Sequence, residues 1–372
     1  MRIMNGTLEN CLEKEKNGFV IFGTSNIAMA LTDELVKRGQ QDRIQYFTDN
    51  DSTLWTAKMN VAGTDYKICS PDCLVSDLPD GCSIIIASTY VYDILNQLRT
   101  MNLPESVRIY IYTLMVYSPN KSLEQYFAEV EHLRAKWVNQ KEAFAQIHNS
   151  HVGERCFIVG NGPSLTMQDL DLLKDEFCFA ANQIFFAFDK TKWRPSAYVT
   201  VNVDTFAGYE KKINELSCDY KFIDRKALDY GIEIPGALYL KHGTWKPEES
   251  FFSEDIESYY YNGGTVAYTA MQIAVYMGFK EIYLIGIDNN YTFEKKKDGT
   301  KIVNDIQNHF YKDETDKDKP QNLYANVDVQ HLNDSFEAAY AYAKAHGIKI
   351  YNATRGGKLE VYPRIELEKV VK

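Results

Sequence analysis

Apolar residues along the chain gather into short runs, each closed by glycine or polar residues and followed by a stretch with helical spacing. Residues 18–24 form the first such run, and helical spacing follows over 27–38. Further strands are predicted at 43–49, 83–88 and 108–112, with a helix at 90–101 between the last two. Strands alternating with helices predict a parallel, doubly wound sheet, since parallel neighbours need a crossover that a helix supplies. Residues 122–148 contain neither Pro nor Gly and space Leu123, Phe127, Val130, Leu133 and Trp137 on one helical face, which predicts a connecting helix.

A second α/β series begins after Gly153. Strands are predicted at 156–159, 178–181, 197–201, 220–223, 237–240 and 348–351, with helices near 166–174, 265–277 and 333–345. The run 281–288 is nearly all apolar, which predicts a strand buried on both faces and central in its sheet. Residues 294–322 are charged and polar and read as a lid or insertion. The fold class expected is α/β: two Rossmann-like parallel-sheet domains joined by a long helix. The expected boundaries are 1–118 for the N-terminal domain, 119–150 for the connector and 151–372 for a catalytic domain.

Composition agrees with a globular chain and narrows the function. At 372 residues, with 45% hydrophobic and 25% charged residues, the chain is long enough for two cores. Its net charge of −10 argues against a nucleic-acid partner, which calls for basic surface to displace counterions. The seven cysteines include no CxxC pair and mostly sit in apolar runs, so they read as buried thiols of a reducing compartment. The start has no apolar signal segment and no stretch is long enough for a membrane span, so a cytoplasmic location is expected. Peripheral membrane contact and a homo-oligomer stay open.

Candidate chemistry collects where predicted strands end. Gly23 follows the first strand as in a dinucleotide fingerprint, with Asp49 and Asp51 after the second, but the later glycines of that motif are missing. Tight NAD(P) binding is therefore not expected. Gly160-Asn161-Gly162-Pro163-Ser164-Leu165 joins a strand to a helix and reads as an anion-binding loop or as an ordinary glycine-rich turn; it lacks the Lys-Ser/Thr of a P-loop. Asn182, Asn202 and Asp204 also follow strands, Gly264 and Thr265 open a helix, and Asp288 closes the strongest strand. Ligands of open α/β sheets sit outside the carboxyl ends of strands, so these motifs predict one shared site. His309 lies in the polar 294–322 segment and suits a general base, with His331 and His242 as runners-up.

Gly160–Leu165, Asn182-Gln183 and the stretch from Met277 to Asp288 together resemble bacterial CMP-sialic-acid-dependent sialyltransferases. They resemble still more closely a neighbouring family that contains the motility-accessory-factor glycosyltransferases and the archaeal 6-hydroxymethylpterin diphosphokinases. The ending from Ile350 through Asn352 to Arg364 is similar to that second family's, so the resemblance spans about 153–365. It implies a GT-A-like, sialyltransferase-like second domain whose Gly160, Asn161, Gly162, Ser164, Asn182 and Asn352 hold nucleotide or sugar. It also implies leaving-phosphate contacts from Tyr291, a catalytic role for Tyr311, and His309 as base without a metal. The implied reaction is inverting transfer of an acidic sugar from a CMP-sugar donor to a surface-glycan acceptor. The kinase branch implies instead ATP, magnesium on Asp204, Asp288 or Asp305, and a pterin-like alcohol. A non-enzymatic nucleotide sensor in polysaccharide assembly is the third reading. Gly263-Gly264-Thr265 departs from the Ser-Gly of the sialyltransferases, which leaves the sugar-carboxylate contact open.

Overall fold

The computed structural model describes residues 1–4, 8–112, 121–243, 252–290, 293–295, 301–303, 309–311 and 329–371. Contacts divide the chain into two units: residues 1–135 with 228–232, and residues 136–227 with 233–372.

The first unit is built on eight strands: β1 (Arg2–Ile3), β2 (Phe19–Phe22), β3 (Ile44–Thr48), β4 (Lys58–Val61), β5 (Thr64–Cys69), β6 (Ser83–Ile86), β7 (Arg108–Ile111) and β8 (Lys121–Ser122). Their order across the sheet is β4-β5-β3-β2-β6-β7-β1-β8. All neighbours are parallel except β4 with β5 and β1 with β8, which are antiparallel pairs at the two edges. The four strands read from hydrophobic runs are the inner ones β2, β3, β6 and β7. The edge strands escape that reading because they are short or half polar, as in Lys58-Met-Asn-Val. Gly23 turns the chain at the end of β2 with φ +120°, and a Cβ there would run into the Ala87 carbonyl oxygen. The glycine is thus needed for packing on the end of β6.

The second unit has a wholly parallel seven-stranded sheet. Its strands are β9 (Arg155–Val159), β10 (Cys178–Ala181), β11 (Ala197–Thr200), β12 (Tyr220–Asp224), β13 (Leu238–Leu240), β14 (Glu281–Ile285) and β17 (Lys349–Asn352). The order is β13-β12-β11-β10-β9-β14-β17. Two further strands, β15 (Phe293–Lys295) and β16 (Lys301–Val303), form a separate antiparallel pair. From β9 the chain winds outward through β10 to β13, then returns to the other side of β9 as β14. The reversal leaves a crevice at the carboxyl ends of β9 and β14, the place where such sheets bind ligands. The run expected to be central is β14, which is buried from Ile282 to Ile285 but lies second from the edge. Burial on both faces needs only cover from helices and one strand on each side, and β17 supplies the second strand. The strand stops at Ile285 because Gly286 takes φ +65°.

The stretch 122–148, expected as one helix, is two: Leu123–Trp137 and Lys141–Ile147. Between them Gln140 acts as a partner for the sheet edge. Its Nε2 donates to Ala237 O and its Oε1 accepts from Tyr239 N–H, both at 2.7 Å, which satisfies backbone groups at β13. The core of the second unit joins Cys156, Ile158, Phe179, Val199, Phe222 and Leu284 from the sheet to Met271, Ile273 and Ala274 of the helix Val266–Tyr276. All seven cysteines are free thiols, and burial pushes Cys156 and Cys178 far above the ordinary thiol range. No described helix is long and apolar enough to cross a membrane.

Candidate functional site

The register of β9 against β14 builds the site. Val159 lies opposite Ile285 at the ends of the two strands, and the ladder continues as Gly160 N–H to Ile285 O and Gly162 N–H to Gly286 O, each at 2.8 Å. The two loops therefore run in contact. A Cβ on Gly160 would strike the Gly286 carbonyl oxygen, and one on Gly162 would strike the Asp288 carboxylate. The sequence suggested that these glycines let backbone approach a ligand; the structure has them admit the neighbouring strand end.

A cavity of about 150 Å³ opens at these loops. Its lining includes Gly160, Asn161, Gly162, Asn182, Thr265, Asp288 and His309, all singled out from sequence. Also on the wall are Val266 and Ala267 at the start of the helix Val266–Tyr276, Asn289 and Asn290 after β14, and Leu332 and Phe336 of the helix Val329–Ala345. Thr265 caps the first of these helices, its Oγ1 accepting from Ala267 N–H at 3.4 Å. The first turn of an eleven-residue helix thus lies on the cavity, with the partial positive charge that helix N-termini carry.

Asn161 combines two roles. Its Nδ2 donates to Ala181 O at 2.9 Å, while Oδ1 is buried with no partner among the described residues. A buried acceptor left unpaired costs about 1–3 kcal/mol, so this wall favours an occupant with an N–H or O–H donor. Its main-chain oxygen accepts from Phe310 N–H at 2.9 Å, which fastens the segment that carries His309. Asp288 accepts from Ser164 Oγ at 2.8 Å and from Ser164 N–H at 3.4 Å. Burial nevertheless holds its carboxyl above the ordinary range, with the Ser164 bonds pulling the other way. Ser164 reaches the site through Asp288 and is not itself on the wall.

Asn182 takes φ +49° just after β10. Its Oδ1 accepts from Thr200 Oγ1 and its main-chain oxygen from Tyr198 O–H, each at 2.9 Å. Part of what the sequence assigned to ligand reading is thus spent on holding the strand ends together. Asn289 has a similar left-handed φ of +46°, and its Nδ2 donates to Asn333 Oδ1 at 2.9 Å, tying the β14 loop to the helix Val329–Ala345. That helix was expected over 333–345 with no site role, and nothing in its spacing marked Asn333 or Phe336 as site residues; Leu332 lay before the expected start.

Other expected residues fall elsewhere. Asn352 is buried at the end of β17, with Thr354 N–H on its Oδ1 at 2.9 Å and its Nδ2 on Leu359 O at 2.8 Å, a structural brace off the cavity. Asn202 is exposed at the start of the helix Val203–Gly208, off the cavity; Asp204 lies within that helix and its side chain is outside the described ones. Gly264, with φ +74°, packs towards Leu332 and His331 beside the wall. Tyr311 is buried off the wall, its O–H donating to Gln183 Oε1 at 3.1 Å. Tyr291, Asp305 and most of the segment expected as a lid lie outside the described residues. Among the described residues no group of three or more His, Cys, Asp or Glu could hold a metal ion.

Two solved structures are similar to the chain at low scores. The MAf glycosyltransferase from Magnetospirillum magneticum AMB-1 is 14% identical, with a TM-score of 0.36 over 95% of this chain and 58% of that one. This chain therefore spans less than two thirds of that protein's length. A variant of the sialyltransferase CST-II in complex with CMP is 17% identical, with a TM-score of 0.34 over 56% of this chain and 85% of that one. No curated protein sequence matches the chain. Residues 132–294 match the family described as 6-hydroxymethylpterin diphosphokinase MptE-like. That span runs from the connector through β9 to β15 and contains the glycine loop, Asn182, the Thr265 cap and Asp288. The family resemblance read from the sequence is thus the one found, as a match over residues 132–294.

Proposed function

We propose that the chain is a cytoplasmic transferase that moves an acidic sugar from a CMP-linked donor to a surface-glycan hydroxyl. The observation that carries this reading is that His309 shares one cavity with a helix N-terminus and with the unpaired acceptor of Asn161. The helix end and the turn at Thr265 suit the phosphate of the donor. Asn161 Oδ1 suits a donor group of the base or sugar. In the reaction the acceptor oxygen forms a bond to the anomeric carbon while the bond from that carbon to the phosphate oxygen breaks. The acceptor's proton passes to His309 and CMP leaves as the anion. Tyr291, outside the described residues, keeps the role its resemblance implies, on the leaving phosphate. Positioned base catalysis contributes about two to four powers of ten, and His309→Ala is therefore expected to lower kcat about a hundredfold with nucleotide affinity unchanged. Full turnover in the folded variant removes His309 as base.

The MptE-like match favours a second reading, diphosphate transfer from ATP to a pterin-like alcohol. There Asp288 would offer one carboxylate to magnesium, whose remaining ligands are commonly phosphate oxygens and water. Thermal-shift measurements with CMP, a CMP-sugar, a UDP-sugar and ATP, each with and without magnesium, separate the two. The first reading expects stabilisation by CMP and donor turnover that survives EDTA. Stabilisation by ATP with magnesium alone, and activity abolished by chelation, selects the second.

A further inference from the structure

The segment His309–Tyr311 is held at the two residues that follow the histidine. Phe310 N–H donates to Asn161 O at 2.9 Å, so the backbone is pinned to the glycine loop. The Tyr311 side chain is buried. Its O–H donates to Gln183 Oε1 at 3.1 Å, and Gln183 Nε2 donates to Thr205 Oγ1 at 3.3 Å. The phenol is thereby linked through the end of β10 to the helix Val203–Gly208. The imidazole of His309 lies parallel to the Tyr311 ring, with 7° between planes and 5.2 Å between centroids, and Phe186 packs on the same tyrosine at 4.8 Å.

A partly buried histidine outside any helix or strand would ordinarily sample several orientations. Here a ring whose two ends are both fixed lies along it. We infer that Tyr311 and Gln183 are positioning residues for His309: the chain from Thr205 through Gln183 fixes the phenol, and the phenol sets the plane of the imidazole. This replaces the catalytic role that the resemblance implied for Tyr311, because its hydroxyl donates to Gln183 and lies off the cavity wall. The inference rests on the reading of His309 as base, and a base displaced by about 1 Å can lose up to a hundredfold in rate.

The test compares Tyr311→Phe, Gln183→Leu and Gln183→Glu by kcat, by KM for the CMP-sugar, and by the imidazole resonances of His309. With seven histidines in the chain, those resonances can be assigned by their loss in His309→Ala. Tyr311→Phe and Gln183→Leu are expected to lower kcat about tenfold with KM unchanged, and to shift or broaden the His309 signals. Gln183→Glu is expected to stay near wild type, since its carboxylate accepts from both Tyr311 O–H and the Thr205 hydroxyl. Wild-type resonances in Tyr311→Phe overturn the inference, as does a Gln183→Glu variant as impaired as Gln183→Leu. If the wild-type chain turns over no CMP-sugar, the proposed function fails while the resonances still decide the positioning. If Gln183→Leu does not fold, Tyr311→Phe, which removes one oxygen and keeps the packing, decides alone.

Discussion

At the scale of single residues, two side chains on the cavity are held in states that carry a cost. Asn182 takes a left-handed backbone angle that Asn and Gly tolerate and that costs other residues about 1–2 kcal/mol. Asn182→Ala therefore mixes backbone strain with loss of the side chain, whereas Asn182→Gly removes the side chain alone. Urea denaturation is expected to find the alanine variant less stable than the glycine one by about 1 kcal/mol. Calorimetry with CMP is expected to find binding weaker by about 1–3 kcal/mol in both. Unchanged affinity in the glycine variant would remove Asn182 from ligand reading and leave it a brace for Thr200. Asp288 is raised by burial above the roughly 3.9 of an unfolded aspartate. Its favourable contribution is complete below that value and is lost as pH rises through the folded value, where the ionised form sits half-buried. Asp288→Asn keeps an acceptor for Ser164 Oγ and removes the charge. The variant is expected to melt higher than wild type at pH 7, with the difference gone below about pH 4. An equal difference at both pH values would exclude the charge as the cause.

At the scale of elements, the strands that carry the site were legible because buried parallel strands show as unbroken apolar runs. Both β9 and β14 are of this kind, and the glycines that end them were visible too. What those glycines do was not legible, since it depends on which strand lies beside which. Only the pairing of Val159 with Ile285 brings Gly160 under the Gly286 carbonyl. The angle at Gly160 is ordinary, so its requirement is one of space. Gly160→Ala is expected to cost about 1–3 kcal/mol in chemical denaturation, the usual penalty for overpacking, because the obstructing atom is backbone and cannot swing away. Stability equal to wild type would mean that the two strand ends separate easily. The connecting helix shows the opposite failure. Its pattern has no helix-breaking residue, yet it stops at Trp137, because Gln140 finds two backbone partners at β13 that spacing could not foretell. The helix Val329–Ala345 was expected from residue 333 onward, and its share of the cavity wall follows from the β14 loop meeting Asn333.

At the scale of the whole molecule, each unit has its own buried core, one around Phe19, Ile21, Phe47 and Ile85, the other around Ile158, Phe179, Ile273 and Leu284. Units with separate cores can unfold in separate steps. The candidate site belongs wholly to the second unit, and a ligand that binds the native state stabilises only what it is bound to. At a concentration a hundred times its Kd, that is about 2.7 kcal/mol. Calorimetric scans of the full chain are therefore expected to show two transitions, one raised by CMP and one indifferent to it. Ile85→Ala, which empties part of the first core, should lower the indifferent transition by about 2–5 kcal/mol of stability and so assign it. NAD(P) should move neither transition, because Gly23 is occupied with the end of β6 and the other fingerprint glycines are missing. A rise with NAD(P) in the transition that Ile85→Ala lowers would give the first unit a nucleotide site of its own. A rise of both transitions with CMP would mean that unfolding of the first unit is coupled to that of the second, and a single transition raised by CMP would mean that the two units share one folding step.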